Sequence, residues 1–300
     1  MKTVIALVNR NRKLFFRDKG MLISSLITPI ILIVLYGTFL SNVYKDSFKS
    51  SLPEFMDISE KLINGTVAAQ LAAALLAVSC VTVTFCVNLT MVQDKASGAR
   101  KDFNVSPVKK QMIYLGYFFS TVCNSLMVNG LALILCLGYV RMMGWYLNAA
   151  DIFYLILDVV LLVLFGSVIS SLVCYPLKTQ GQMSAVGTIV SAGYGFICGA
   201  YMPISNFGDG LQKALSYLPS TYGTSMLKNH MLRGVFEEMS AEGFPDDVVT
   251  GIADSLDCNP VFQGHVVSSN MMLGIVLVST ILFGIAYLCI SASSYGSHSS

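Results

Sequence analysis

The residues best suited to polar chemistry are concentrated in one stretch, QDKASGARKDFNVSPVKK, at positions 93–110. It holds five cations and two acids, and long apolar runs flank it on both sides. Such side chains form ionic and hydrogen-bonded contacts with a partner protein or with an anionic membrane surface. Because Ser106-Pro107 disfavours continued helix, the stretch is predicted to contain a short, separate helix over 94–105.

The sequence contains no recognisable arrangement for catalysis, metal binding or nucleotide binding. The phosphate-binding pattern G-x-x-x-x-G-K-[ST] is absent, and no Gly-Lys pair occurs anywhere in the chain. There are three histidines, no H-E-x-x-H or C-x-x-C spacing, and no G-x-S-x-G motif. We therefore expect no catalytic residues, cofactor or metal, and we expect any ATP to be bound by another chain.

One acid, Asp158, lies well inside a predicted membrane-spanning segment, about two turns after Asp151. Ionisable groups at such depth often belong to ion or proton pathways, and coupled carriers usually have several of them. A structural hydrogen-bonding role is favoured for Asp158, and a role in a transport path stays open.

Small polar residues form a stripe along another charge-free run. They recur at helical spacings of three and four and would share one face: Ser79, Thr82, Cys86 and Thr90. Such faces more often serve helix packing than substrate contact, and both roles stay open. Gly195 and Gly199 form a G-x-x-x-G pattern that favours close helix approach, or, with Pro203, a bend forming an outer gate.

The composition is that of an integral membrane protein. The 300 residues are 54% hydrophobic and only 12% charged, with a mean hydropathy of +0.67, whereas soluble domains are about one quarter charged. A spanning helix needs about 20 mostly apolar residues. The charge-free runs predict six spans, at 21–43, 65–92, 111–139, 152–174, 182–201 and 267–290.

The distribution of charge predicts the orientation of these spans. Twelve of the nineteen Lys and Arg residues lie in the N-terminal segment, in 93–110 or at Lys178, and cytoplasmic flanks carry such an excess. The opposite side holds most of the acids, and the largest group of them lies in the connection between the fifth and sixth spans. Both termini are therefore expected to be cytoplasmic in a multi-pass protein of the plasma membrane.

The segments outside the spans complete one transmembrane domain over 1–300, all-α in class. Residues 1–19 are predicted to form an amphipathic interfacial helix, because Val4, Ile5, Val8 and Phe15 share a face opposite the basic side chains. The external segment 202–262 is long enough for a re-entrant segment and surface helices. Seven of the eight cysteines fall inside predicted spans, so a disulfide framework is not expected.

The stretch DKASGARKDFNVSPVKKQMIYLGY resembles the cytoplasmic loop of ABC-2-type permeases, the membrane subunits of ABC exporters. Asp94 occupies the acidic position of that loop, Gly98 its glycine, and Val105-Ser106-Pro107 its closing motif. Ala96 and Lys101 stand where acids are common in the family. A second resemblance, over GFICGAYMPISNFGDGLQKALSYLPSTYGTSMLKNHMLRG, is carried by Gly199, Pro203, Pro219 and Tyr222 at the exit of the fifth span.

The resemblance implies an ATP-driven exporter that works with separate ATPase subunits and a second permease protomer, homologous or identical, in a prokaryotic plasma membrane. The loop and the N-terminal helix would contact the ATPase, and the second and fifth spans would line the route. The residues implied in coupling are Arg10, Arg17, Asp94, Gly98, Arg100, Lys101, Phe103, Ser106 and Pro107. Membrane lipids are expected partners and nucleic acids are not.

Two other classes of function were weighed against this one. An ion-coupled secondary carrier or channel would be expected to show more acids within the spans and inverted halves. A membrane-embedded enzyme would need a catalytic constellation that the sequence lacks. The carrier or channel is the principal alternative, and the transported compound is not readable from the sequence.

Overall fold

The computed structural model describes residues 2–35, 59–100 and 108–293. Its first part contains α1 (Lys2–Arg17), α2 (Lys19–Leu35), α3 (Glu60–Ala96), α4 (Lys110–Met143) and α5 (Ala149–Cys174). The second part contains α6 (Gln180–Ile197), a 3-10 turn (Ile204–Asn206), α7 (Asp209–Leu215), α8 (Pro219–Ala241) and α9 (Asp246–Ser255). It continues with a hairpin of β1 (Val261–Phe262) and β2 (His265–Val266), and with α10 (Ser269–Ser293).

Local sequence signals explain where the main helices begin. The hydroxyl of Ser59 caps α3 by accepting a hydrogen bond from the Leu62 amide. Asn148 with Asp151, and Thr179 with Gln182, form reciprocal capping boxes at the starts of α5 and α6. α8 begins at Pro219, whose fixed φ and missing N–H suit the first helical turn.

Helix α3 is the centre of the bundle, with α2, α4, α5, α6 and α8 packed around it. Nearly every residue from Leu62 to Val92 is buried, including a run of alanines that permits close helix approach. With 37 residues, α3 is about 55 Å long, which exceeds the ~30 Å hydrocarbon core of a bilayer. Its ends therefore extend beyond the membrane interior, and the helix is longer than the predicted span 65–92.

Four helices in the described ranges are long and apolar enough to cross a membrane, namely α3, α4, α5 and α10. α2 is a shorter apolar helix that ends at the boundary of the described residues, so positions 36–43 of the first predicted span lie outside them. α6 has 18 residues and ends at Ile197, four residues before the predicted limit at 201. The mainly helical architecture agrees with the predicted class, and a total of six spans remains a prediction.

The packed face of the N-terminal helix shares Phe15 with the predicted apolar face but is turned away from Ile5. α1 packs along α4 through Leu7, Asn11 and Phe15, whereas Ile5 is exposed. The packed face is thus rotated relative to the apolar face expected from the sequence. The reason is that a polar contact of Arg10 with the bundle, described below, competes with the purely apolar choice.

Candidate functional site

The end of α3 determines where the charged stretch begins. The helix continues to Ala96, so Asp94 and Lys95 lie on its last turn and not on a separate helix starting at 94. Ser97 is the C-cap, and Gly98 follows with φ of 81°, a left-handed conformation that favours glycine. A Cβ at Gly98 would meet no atom within 4 Å, so the backbone conformation, and not space, calls for glycine here.

Asp94 forms the centre of a buried ionic cluster. Arg10 Nη1 and Nη2 donate to its two carboxylate oxygens at 2.7 and 3.2 Å, and the Tyr117 hydroxyl donates at 2.5 Å. The hydrogen bond that Arg10 donates to Asp94 raises the pKa of Arg10, although partial burial of the guanidinium opposes this rise. The bidentate pairing joins α1 to α3, which are distant in sequence, and Tyr117 adds α4 to the cluster.

The neighbouring Lys95 binds the end of another helix. Its ammonium donates to the carbonyl oxygens of Cys174, Tyr175 and Leu177 at 3.4, 2.5 and 3.2 Å. The last carbonyls of a helix lack intrahelical donors and carry partial negative charge, so a cation is favourable there. Desolvation, followed by repulsion from Arg100, lowers the pKa of Lys95 to about 8.

Arg100 completes the arrangement. It donates to the Tyr114 hydroxyl and lies 4.5 Å from the centre of that ring, and the Tyr287 hydroxyl of α10 donates to the Tyr114 carbonyl at 3.3 Å. We refer to this set as the charged junction: Arg10, Asp94, Lys95, Arg100, Tyr114 and Tyr117. It links α1, α3, α4, α5 and α10 at one end of the bundle.

Several residues predicted to contact the ATPase subunit are bonded within the chain or lie outside the described residues. Arg17 is exposed on α1, whereas Arg10 and Asp94 bind each other within the protomer. Asp94 is only 7% exposed, so it does not offer its charge to a partner in this conformation. Lys101, Phe103, Ser106 and Pro107 lie outside the described residues.

The small polar stripe of α3 lies inside the protomer. The Ser79 hydroxyl donates to Asn129 Oδ1 of α4 at 2.7 Å, while Thr82 donates to the carbonyl of Val78. Thr90 donates to the carbonyl of Val87, and Cys86 is half-buried. The three hydroxyls therefore make interhelical and backbone contacts, and a further role in substrate contact stays open.

Asp158 has a specific partner in α8. Its Oδ2 lies 2.6 Å from His230 Nδ1, and the imidazole stacks on Tyr154 with 5.0 Å between ring centres. Asp158 is almost fully buried and His230 is half-buried. The pair connects α5 with α8, and whether Asp158 is purely structural or belongs to a transport path stays open.

The predicted gate region forms a compact turn after α6. Gly195 accepts hydrogen bonds from the amides of Ala200 and Tyr201, and the Tyr201 ring covers it so closely that a Cβ would overlap. Gly199 has φ of 72°, and Pro203 is buried at the start of the 3-10 turn. Both glycines thus shape a single turn at the end of α6, and close helix approach through them stays a prediction.

A buried cation holds this turn in place. The ammonium of Lys228, with a side chain only 1% exposed, lies 3.1 Å from the Gly199 carbonyl and 3.6 Å from Asp257 Oδ2. Asp257 also accepts from the amide of Ile204 at 2.6 Å. We call Lys228, Gly199 and Asp257 the outer clamp, because it joins the turn, α8 and the segment after α9 at the end opposite the charged junction.

Sequence reasoning missed Lys95 as a helix cap, Tyr117, His230 and Lys228. One signal for Lys228 was available, since it is the only cation between Lys213 and Arg233 and lies among small and apolar residues. The others carry no such signal, because their roles depend on partners 23 to 80 positions away.

The sequence model of a known family matches most of the chain. The family is described as ABC-2 family transporter protein, and the match covers residues 52–293. No curated protein sequence matches the chain significantly. The matched range includes the charged stretch, the turn after α6 and all four helices long enough to span a membrane. The resemblance noted in the sequence is thereby confirmed, and the chain belongs to the ABC-2 family of transporter proteins.

Proposed function

We propose that this ABC-2 family protein is the permease subunit of an ATP-driven exporter. It would move an amphipathic, lipid-like, drug-like or peptide-like compound out of a prokaryotic cell. Two permease protomers would act with separate ATPase subunits in the plasma membrane. In this arrangement both termini and the charged junction are cytoplasmic, and the outer clamp faces outward.

The charged junction is the observation that carries the proposal. A force applied to residues 93–110 would act directly on α3 and, through Asp94, on α1 and α4. Through Lys95 it would also act on the end of α5. Such bonds move packed helices together, because helix bundles respond to local displacement as coupled elements. A stretch that only joined α3 to α4 would not need hydrogen bonds to two further helices, α1 and α5.

The energy source is expected to lie in another polypeptide. The chain has no phosphate-binding loop, so we expect the purified permease in lipid nanodiscs to hydrolyse no ATP above the background of empty nanodiscs. Hydrolysis should appear when a cognate ATP-binding subunit is added, measured as phosphate release. Substantial hydrolysis by the partner-free permease would contradict this division of labour.

The proposed topology has six spans, with α2 and α6 added to the four long apolar helices. Lys and Arg dominate the side that contains α1 and residues 93–110, and this excess marks the cytoplasmic face. A cysteine replacing Lys101 should therefore react with a membrane-impermeant maleimide only from inside, and one replacing Glu238 only from outside.

The labelling is done in right-side-out and inside-out vesicles carrying a variant without the eight native cysteines. Because the three proposed spans α4, α5 and α6 lie between the two positions, this odd number of crossings places them on opposite sides of the membrane. Reaction of both cysteines from the same side would reject the six-span arrangement.

A further inference from the structure

A cavity of ≈ 470 Å³ lies between two segments at the outer-clamp end of the protein. One wall is formed by the 3-10 turn, α7 and the first turns of α8. The opposite wall is formed by the end of α9, the following loop and the β1–β2 hairpin. Its volume falls within the range of small-molecule sites, about 300–1,000 Å³.

The walls of the cavity are fixed by bonds between them. Asp257 on one wall accepts hydrogen bonds from the Ile204 and Ser205 amides on the other, at 2.6 and 3.4 Å. The hairpin turns through Gln263 and Gly264, both with positive φ, as a tight two-residue turn requires. The cavity is therefore a built feature of this end of the protein.

Several donors that line the cavity are already used by the protein. The Gln212 amide donates to the carbonyls of Ser205 and Phe207, and the Asn259 amide donates to Asp254. The hydroxyls of Ser216, Thr221 and Tyr222 donate to the backbone carbonyls of Lys213, Leu215 and Ser216, respectively. The remaining capacity of Gln212 and of these three hydroxyls is that of acceptors, which favours a ligand that donates hydrogen bonds.

The charges point to the same kind of ligand. Asp209, Asp254 and Asp257 line the cavity together with one cation, Lys213. Lys228 lies behind Asp257 and offsets its charge. The exposed Asp209 and the partly bonded Asp254 leave the lining with one net negative charge after Lys213 is counted, which favours a cation.

The mouth of the cavity is partly apolar. Tyr217, Val261 and Val266 are each more than half exposed and lie around its lining. Tyr217 is held edge-on by Phe262, with 5.2 Å between the ring centres, and so offers a fixed surface. An aromatic face next to carboxylates suits a cation that carries an apolar group.

We propose that this cavity is a binding site for amphipathic primary amines on the outer face of the transporter. The ammonium group contacts Asp254 and Asp209, and the apolar part of the ligand lies on Tyr217 and the two valines. This adds a ligand site to the proposed function, and the binding itself requires neither ATP nor a partner subunit.

The test is a binding titration of the purified protein in lipid nanodiscs with a dansylated 1,5-diaminopentane. Its free amine supplies the positive charge, and the N-acetylated form supplies a neutral probe of nearly the same shape. Empty nanodiscs correct for partition into lipid. We expect saturable binding of the free amine only, with affinity that falls as salt concentration rises.

Asp254→Asn should raise the Kd about tenfold, as expected for loss of one charge-assisted hydrogen bond. Asp209→Asn, at an exposed position, should raise the Kd about threefold, whereas Lys213→Gln should lower the Kd. Asp247→Asn, an exposed acid of α9 outside the lining, is the matched control and should change nothing. Equal binding of both probes, no saturable binding, or an unchanged Kd in both Asp254→Asn and Asp209→Asn would overturn the proposal. Because no ATPase is present, such a result would leave the exporter proposal standing.

Discussion

Replacement of Asp94 by Asn is expected to uncouple ATP hydrolysis from movement of the permease. Asn keeps the size of the side chain but loses the charge that binds Arg10 through two hydrogen bonds. Hydrogen bonds to charged groups contribute about 1.5–3 kcal/mol each, and 1.4 kcal/mol is a tenfold change in an equilibrium constant. Because Arg10 is about one third exposed, we use the lower end of this energy range. It corresponds to a roughly tenfold lower equilibrium constant for the state in which Arg10 is bonded to residue 94.

The uncoupling can be measured without knowing the transported compound. The background is a variant without the native cysteines, in complex with the ATPase subunit. A cysteine replacing Ile189, on the exposed face of α6, then reports ATP-dependent conformational change of the permease through the rate at which a maleimide labels it. In the Asp94→Asn complex, ATP hydrolysis should continue while the ATP-dependent change in labelling falls about tenfold. Arg10→Gln should act similarly, and Tyr117→Phe should have a smaller effect because it removes one neutral donor.

Two comparisons separate this mechanism from general damage. Lys13→Gln removes a charge from an exposed position of the same helix α1. It should therefore leave both the rate of ATP hydrolysis and the ATP-dependent change in labelling rate unaltered. The exchanged pair Arg10→Asp with Asp94→Arg should recover part of the response, because attraction between the two helices is restored. A full ATP response in Asp94→Asn would show that force does not pass through this bond.

Composition and charge were enough to predict the class of this protein and the positions of its long helices. Charge-free runs indicate helices of spanning length, and long apolar helices of the structure overlap the predicted spans 65–92, 111–139, 152–174 and 267–290. The predicted ends of those helices agree less well with the structure than their positions do. α3 extends to Ala96 because a helix does not end where the hydrocarbon ends, and Gly98 is the signal that ends it.

The candidate site was harder to predict because its contacts join distant parts of the chain. The sequence singled out Arg10 and Asp94 separately, yet their 84-residue separation gave no indication that they bind each other. The helical period of Ser79, Thr82 and Thr90 was correct, but periodicity does not reveal which neighbouring helix a face will meet. The role of Phe103 in contacting an ATPase subunit stays a prediction.

Loss of the acid in the outer clamp is expected to cost more stability than loss of any single surface charge. Asp257→Asn leaves the Lys228 ammonium buried with the Gly199 carbonyl as its remaining neighbour in the clamp. Breaking a buried ion pair by removing one partner typically costs about 3–5 kcal/mol. Asn tolerates the positive φ of 56° at this position, so backbone strain does not add to the effect.

The corresponding change on the other side of the pair should cost less. Lys228→Met removes the buried charge and keeps an unbranched chain of similar length, while Asp257 retains the amides of Ile204 and Ser205 as donors. We expect a loss of roughly 1–2 kcal/mol for Lys228→Met. The double variant should be more stable than Asp257→Asn alone, because it no longer contains an unpaired buried ammonium.

The measurement is the thermal midpoint for loss of the monodisperse protein in a mild detergent, compared across the single and double variants. Asp247→Asn, an exposed acid on α9, is the control and should leave the midpoint unchanged. Additive losses in the double variant would mean that the two side chains do not interact. Since the clamp holds the turn after α6, a destabilised clamp should also expose that turn. A cysteine at Ile204 should then react faster in Asp257→Asn than in the unaltered protein.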